Sequence, residues 1–159
     1  MNVKLDKTYG LYIDGRFVPA SDGATFPTTN PATGEKLAEC AEATREDLDA
    51  AVDAAWRAFP SWKEVEPAKR AAVLLRIADI IDANADLLAE VETLDNGKPI
   101  RETKAVDIPL AADHFRYFAG AIRTEEGSAS VLDGGFLSLI LREPIGVVGQ
   151  IVPWNFPFL

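Results

Sequence analysis

Residues 12–18 read Tyr-Ile-Asp-Gly-Arg-Phe-Val, with the Asp14-Gly15 pair set between two short apolar runs. Glycine accepts a positive φ at little cost, so the pattern predicts a tight β-hairpin. A second hairpin is expected from residues 25–30 and 35–41, with Pro31-Ala32-Thr33-Gly34 as its turn. The period then changes, because Leu48, Ala51, Val52, Ala55 and Phe59 recur at helical spacing and share one face. Thr44 reads as the N-cap of that helix and Asp47 as its capping-box partner, and Pro60 is the expected stop.

Pro67 suits the first turn of a second helix, where a missing N–H is harmless, and Ala71, Leu74, Ala78 and Ile81 repeat along one face. Asn84 opens a further helical segment carrying Leu87, Leu88, Val91 and Leu94, which Asn96-Gly97 and Pro99 end by left-handed cap chemistry. Residues 100–123 read as one more helix. Pro109 inside it removes a backbone hydrogen bond and is expected to bend it near Val106, with Val106, Leu110, Phe115, Phe118 and Ile122 as core candidates.

Residues 125–135, rich in Gly, Ser and acid, read as a loop. Two strands are predicted beyond it, at residues 136–141 and 145–152, with a turn at Arg142-Glu143-Pro144. Nothing charged follows Glu143, and a continuous apolar strand is what the interior of a parallel α/β sheet requires, since helices cover both its faces. Pro153-Trp154-Asn155-Phe156-Pro157-Phe158-Leu159 would then leave an unpaired edge and an apolar patch, so the chain reads as incomplete.

Composition narrows the classes further. Of 159 residues, 48% are hydrophobic and 26% charged, which excludes disorder and collagen. Against 25 Asp+Glu stand 16 Lys+Arg, and the net charge of -9 would repel phosphate backbones and anionic lipid, so neither nucleic acid nor membrane is an expected partner. A single cysteine, Cys40, and a single histidine, His114, allow neither an internal disulfide nor a Cys/His zinc site. No uncharged stretch reaches the roughly 18 residues of a membrane span, and residues 1–10 lack the apolar run of a signal peptide, so a cytoplasmic location is expected.

Pro153-Trp154-Asn155-Phe156-Pro157, preceded by Glu143-Pro144-Ile145-Gly146-Val147-Val148-Gly149-Gln150, resembles the NAD(P)-dependent aldehyde dehydrogenase superfamily. Asn30-Pro31-Ala32-Thr33-Gly34-Glu35, the run from Glu92 to Pro99 and Tyr117-Phe118-Ala119-Gly120 resemble the N-terminal landmarks of that family, in order. Residues 107–120, with Glu126-Gly127-Ser128-Ala129, are similar to its bacterial members that oxidise acetaldehyde and related short-chain aldehydes. The resemblance implies an α/β fold, here the N-terminal part of an aldehyde dehydrogenase: β-hairpins, helices and the start of a Rossmann-like parallel sheet. Residues 1–159 would be the N-terminal portion of the NAD-binding domain, residues 136–142 would match the oligomerisation arm, and the whole enzyme would be a homo-oligomer. The catalytic domain, with its nucleophilic cysteine and its general-base glutamate, would lie beyond Leu159.

On that resemblance Asn155 is the oxyanion-hole residue, and its amide NH₂ can donate to the oxygen that becomes negative when a thiolate attacks an aldehyde carbonyl. The bland reading of Asn155 is a turn residue between two prolines. Ile151, Val152, Pro153 and Trp154 resemble the segment that borders NAD, with NADP not distinguished, and otherwise they are sheet core. Gly146-Val147-Val148-Gly149 is no G-x-G-x-x-G fingerprint. Thr28, Thr29 and Asp107 resemble a monovalent-cation site, or are hairpin threonines and a helix-face carboxylate. Cys40, between Glu39 and Glu42 in a hairpin strand, reads as structural, and His114 as packed or hydrogen-bonded. Phe115, Tyr117 and Phe118 would line an entry tunnel for a small aldehyde or form a core stripe. Three functions remain: a short-chain aldehyde dehydrogenase fragment, a non-catalytic binding or assembly fragment, and a semialdehyde or betaine-aldehyde dehydrogenase.

Overall fold

The computed structural model describes residues 3–159. The first hairpin forms as its Asp-Gly pair dictates, from β2 (Leu11–Ile13) and β3 (Arg16–Val18), with Asp14 at φ 52° and Gly15 at φ 77° in the turn. The second joins β4 (Thr25–Thr29) to β5 (Lys36–Ala41) in antiparallel register. β5 is the middle strand, and its other edge takes β1 (Thr8–Tyr9) in parallel, a strand that nothing in residues 1–10 predicts. Pro27 is tolerated because β4 is an edge strand and can do without one donor.

The first helix, α1 (Arg45–Lys63), starts on the expected capping box. Thr44 Oγ1 accepts from the Asp47 N–H at 3.2 Å, and the Asp47 carboxylate accepts in return from the Thr44 N–H at 2.9 Å. Asp47 also accepts from the Ser21 N–H at 3.1 Å, which fastens the helix to the loop ahead of β4. Pro60 does not stop the helix. It forfeits one bond to the preceding turn, and the helix continues to Lys63, with the Ser61 hydroxyl donating to the Ala58 carbonyl at 2.9 Å.

The α-helical layer holds the core. Pro67 opens α2 (Pro67–Ala83) at its first position, and α3 (Ala85–Asn96) ends at Gly97, whose φ of 84° needs a residue without a side chain. Residues 100–123, expected to be one bent helix, form a single-turn α4 (Ile100–Glu102), a π-helical turn at Thr103–Asp107 and then α5 (Ile108–Ala121). The expected bend is real, and its form is the π turn: the Ile108 N–H reaches back five residues to the Thr103 carbonyl just before Pro109. α2 packs along α5, and the buried center is Ala78 and Ile81 from α2, Ala89 from α3, and Ile108 and Ala112 from α5. The alanines let the helix axes approach closely. Phe115 packs against this cluster and Ile122 is half-buried, but Val106, Leu110 and Phe118 are exposed, so most of the expected aromatic and aliphatic stripe faces outward.

Residues 125–135 are not all loop: β6 (Ser128–Val131) pairs antiparallel with β7 (Leu137–Ile140). The predicted strand at residues 145–152 does not form. A strand exists only through a hydrogen-bonded neighbour, and no described residue supplies a ladder there. The segment crosses α1 instead: a Cβ on Gly146 would stand 2.8 Å from the Trp56 ring, and φ there is 112°. Among the described residues no helix is long and apolar enough to cross a membrane.

Candidate functional site

Pro153, Trp154, Asn155 and Phe156 form a turn closed by the Phe156 N–H on the Pro153 carbonyl at 3.4 Å. Asn155 occupies its third position and is exposed, so the carboxamide is not sealed in packing. Its turn-residue chemistry and its availability as a donor coexist. Ile151 and Trp154 are almost wholly exposed, and Val152 and Pro153 are exposed too, which corrects the expectation that Ile151 and Val152 are sheet core. Among the described residues no strand flanks them, so they stay largely uncovered.

The turn is held from the far end of α3. The Asn96 side chain donates to the Trp154 carbonyl at 2.6 Å, and the Lys98 ammonium lies 3.8 Å from the center of the Phe156 ring. Such a cation over a ring is worth about 0.5–2 kcal/mol, more when desolvated. Lys98 also pairs with Asp107, which the π turn points inward and leaves 1% exposed. Gly97, between the two holding residues, lies so close to the β4–β5 turn that a Cβ would meet the Pro31 side chain at 2.7 Å.

Behind Asp107 lies a second buried carboxyl. Glu92 is 6% exposed, and among the described residues neither of its oxygens has a hydrogen-bond partner. Asp107 and the Phe158 backbone are close by but off hydrogen-bonding geometry. Burial, and after it the negative charge of Asp107, push the Glu92 carboxyl above its usual range. Thr103 secures the same corner: its hydroxyl donates to the Ala89 and Ile100 carbonyls at 3.2 Å and meets the Thr93 hydroxyl at 3.0 Å. Sequence reasoning missed Glu92, Asn96, Lys98 and Thr103. The available signals were the resemblance of the run from Glu92 to Pro99 to a family landmark, and a Lys and acids clustered around a left-handed cap.

The other expected site residues have partners of their own. Thr28 donates its hydroxyl to Asp95, whereas Asp107 is bound to Lys98, so Thr28 and Asp107 have separate partners and Asp107 already holds a cation. Thr29 ends β4 in the exposed part of the hairpin. Cys40 is half-buried in β5, opposite Phe26 and Tyr9. Of the two expected readings of His114, packed or hydrogen-bonded, the packed one does not hold, because His114 is exposed. It lines a cleft of about 720 Å³ with Leu74, Phe115, Phe118, Val152 and Phe158, so one face of the expected aromatic stripe borders the Asn155 turn. Tyr117 stacks edge-on against Phe118 with ring centers 5.2 Å apart and is exposed.

The sequence model of the aldehyde dehydrogenase family matches residues 17–159, which is most of the chain and includes the Asn155 turn. The chain belongs to that family. It is 52% identical over 151 residues to the acetaldehyde dehydrogenase of Pseudomonas aeruginosa, covering 95% of this chain and 30% of that protein. It is 50% identical over 157 residues to the fluoroacetaldehyde dehydrogenase of Streptantibioticus cattleyicolor, covering 99% and 31%. Among solved structures, an NAD+ complex of the aldehyde dehydrogenase from Bacillus cereus superposes with a TM-score of 0.92 at 40% identity, over 99% of this chain and 34% of that one. PnpE in complex with nicotinamide adenine dinucleotide superposes with a TM-score of 0.90 at 47% identity, over 94% and 31%. The chain therefore spans about 30% of the length of the curated aldehyde dehydrogenases it matches, and its mixed α/β fold is that of their N-terminal portion.

Proposed function

We propose that this chain supplies the oxyanion-binding turn of an aldehyde dehydrogenase that oxidises a short-chain aldehyde to its acid with NAD(P)+. The observation that carries the proposal is the exposed carboxamide of Asn155 on a turn whose two neighbouring residues are held by Asn96 and Lys98. A donor fixed in this way before reaction needs no reorganisation when charge develops on a carbonyl oxygen. The substrate class is supported by relatives about half identical to this chain and named for acetaldehyde and fluoroacetaldehyde. The cleft beside the turn, walled by Phe115 and Phe118, offers an apolar approach for a small aldehyde.

NAD(P)+, when bound, accepts the hydride. Exposed Ile151, Val152, Pro153 and Trp154 fit the ring portion of a dinucleotide by offering an apolar surface, whereas the segment lacks a glycine fingerprint for the phosphates. The role of the chain's own residues is narrower: the Asn155 NH₂ donates to the substrate oxygen as a thiolate adds to the carbonyl, and keeps that bond as negative charge builds there. We assign the thiolate and the general base to the part of the family fold outside these 159 residues, because Cys40 is a strand residue between Phe26 and Tyr9. A monovalent cation at Asp107 is not part of the proposal, since the Lys98 ammonium already neutralises that carboxylate. Residues 136–142 are proposed as an oligomerisation arm: β7 is largely exposed and, among the described residues, pairs only along its β6 side, leaving an edge for a second subunit.

The deciding experiment is steady-state oxidation of acetaldehyde by the full-length protein carrying this chain. Asn155→Ala is expected to lower kcat by about 10²–10³. Near-normal turnover of that variant would refute the assignment. The 159-residue chain alone is expected to form no NADH, and NADH formation proportional to protein would refute the placing of the nucleophile elsewhere.

A further inference from the structure

We propose that Lys98 is a positioning residue for Asn155: its ammonium, anchored on the buried carboxylate of Asp107, clamps the Phe156 ring and so fixes the direction in which the neighbouring carboxamide points. This inference rests on the reading of Asn155 as the oxyanion donor.

Three observations lead to it. Lys98 is itself only 13% exposed, and it pairs with a carboxylate that is 1% exposed and sits on the π turn, so the ammonium has little freedom to wander. Its remaining face is turned to an aromatic ring 3.8 Å away, and that ring belongs to the residue directly after Asn155. On the other side, the carbonyl of the residue directly before Asn155 accepts from Asn96 at 2.6 Å. Asn155 therefore sits between two tethered neighbours, while its own side chain is left exposed.

Both tethers spring from the C-terminal end of α3, Asn96 as its last residue and Lys98 just past its cap, and that end is rigid for reasons of its own. Gly97 caps α3 in the left-handed region and abuts Pro31, Thr103 staples α3 to the π turn, and Asp107 leads into α5. A surface lysine could supply a charge without any of this. What the surroundings add is a fixed origin for the ammonium, and an oxyanion donor is useful only if its direction is set beforehand.

The test uses two readouts. In the full-length enzyme, Lys98→Met is expected to lower kcat for acetaldehyde by about 10- to 100-fold while KM changes by less than about 3-fold, the signature of a contact that matters in the transition state. Lys98→Arg keeps the cation over the ring and is expected to recover most of that loss. In an Asn155→Ala background Lys98→Met is expected to have almost no further effect on kcat, because a residue acting through Asn155 has nothing left to position. Equal losses in both backgrounds, or no recovery with arginine, would overturn the inference. Phe156→Leu leaves the buried ion pair intact and serves if Lys98→Met does not fold. It too is expected to lower kcat, and unchanged kcat would count against the clamp.

The second readout is independent of turnover. The 159-residue chain has 3 tryptophans, so 5-fluorotryptophan labelling gives three ¹⁹F resonances, and Trp154→Phe assigns one of them. Lys98→Met should shift and broaden the Trp154 resonance and leave those of Trp56 and Trp62 in place. An unmoved Trp154 resonance would overturn the inference whatever the kinetics show. If the wild-type full-length enzyme oxidises no aldehyde, the proposed function fails by itself, and the fluorine spectra still report whether Lys98 holds the turn.

Discussion

Two buried carboxyls in this chain are shifted in opposite directions, and their surroundings explain both. Asp47 accepts hydrogen bonds from the backbone of Thr44 first and of Ser21 second, which holds its carboxyl below the usual range. The stability it contributes is full above the unfolded value of about 3.8 and is lost as pH falls through the lowered folded value. Asp47→Asn is therefore expected to be less stable than wild type at pH 7, with the gap closing in strong acid. Glu92 has the opposite sign: burial and the charge on Asp107 raise its carboxyl, while Lys98 opposes them. The folded chain then holds a proton that the unfolded chain has released, so stability falls as pH rises from the unfolded value of about 4.5 through the raised folded one. Glu92→Gln keeps the shape and stays neutral, and is expected to gain on wild type as pH rises from 4 to 8. Urea unfolding of wild type and both variants from about pH 2 to about pH 8 checks both signs: the Asp47→Asn gap should close only below about 3.8 and the Glu92→Gln gain should grow only above about 4.5, and curves that stay parallel through those windows would contradict them. Gly97→Ala belongs to the same scale: φ of 84° together with a Cβ 2.7 Å from Pro31 should cost about 1–2 kcal/mol or more, read as a lower midpoint in the same unfolding series.

At the scale of elements, local chemistry decided most outcomes, and neighbours decided the rest. The Asp14-Gly15 hairpin, the Thr44–Asp47 box, Pro67 at the first position of α2 and Gly97 as the cap of α3 formed where residue types alone placed them. Each is a short-range preference that needs no tertiary partner. Pro60 misled because a proline one turn from a helix end costs a single bond, and α1 absorbs that loss. Pro109 indicated a distortion but not its type, since choosing a π turn required knowing that Thr103 and Asp107 had to face α3 together. β1 and β6 escaped notice because such short strands are defined by pairing more than by sequence. The π turn yields its own prediction. Thr103→Val removes a hydroxyl that serves the Ala89 and Ile100 carbonyls in the interior, and is expected to cost about 1–3 kcal/mol by denaturant unfolding, with little change in helix content by far-ultraviolet circular dichroism.

Across the whole molecule, apolar surface is distributed unevenly. The α2–α3–α5 core is small and alanine-rich, while Leu137, Leu139, Ile140, Ile145, Val148, Ile151 and Trp154 lie exposed along the second half of the chain. A net charge of -9 opposes association of such chains, and salt weakens that opposition. The candidate site was legible only in part for the same reason: the Pro153–Pro157 run could be matched to the family as a string, but Asn96, Lys98, Asp107 and Glu92 become a site only when α3 and the π turn meet. Residues 145–152 show the reverse, a sequence with the composition of a buried strand and no ladder among the described residues. Apolar composition makes burial favourable but cannot create the neighbouring strand that would accept the backbone bonds. The relatives this chain matches are about three times its length, which leaves room for such neighbours. Backbone amides of residues 145–152 are therefore expected to exchange with deuterium at nearly unprotected rates in the 159-residue chain, while those of α2 and α5 are slowed. In the full-length protein the same amides should become as slow as the helical core. If they stayed fast there, the segment would be a surface connection and its apolar composition would need another cause.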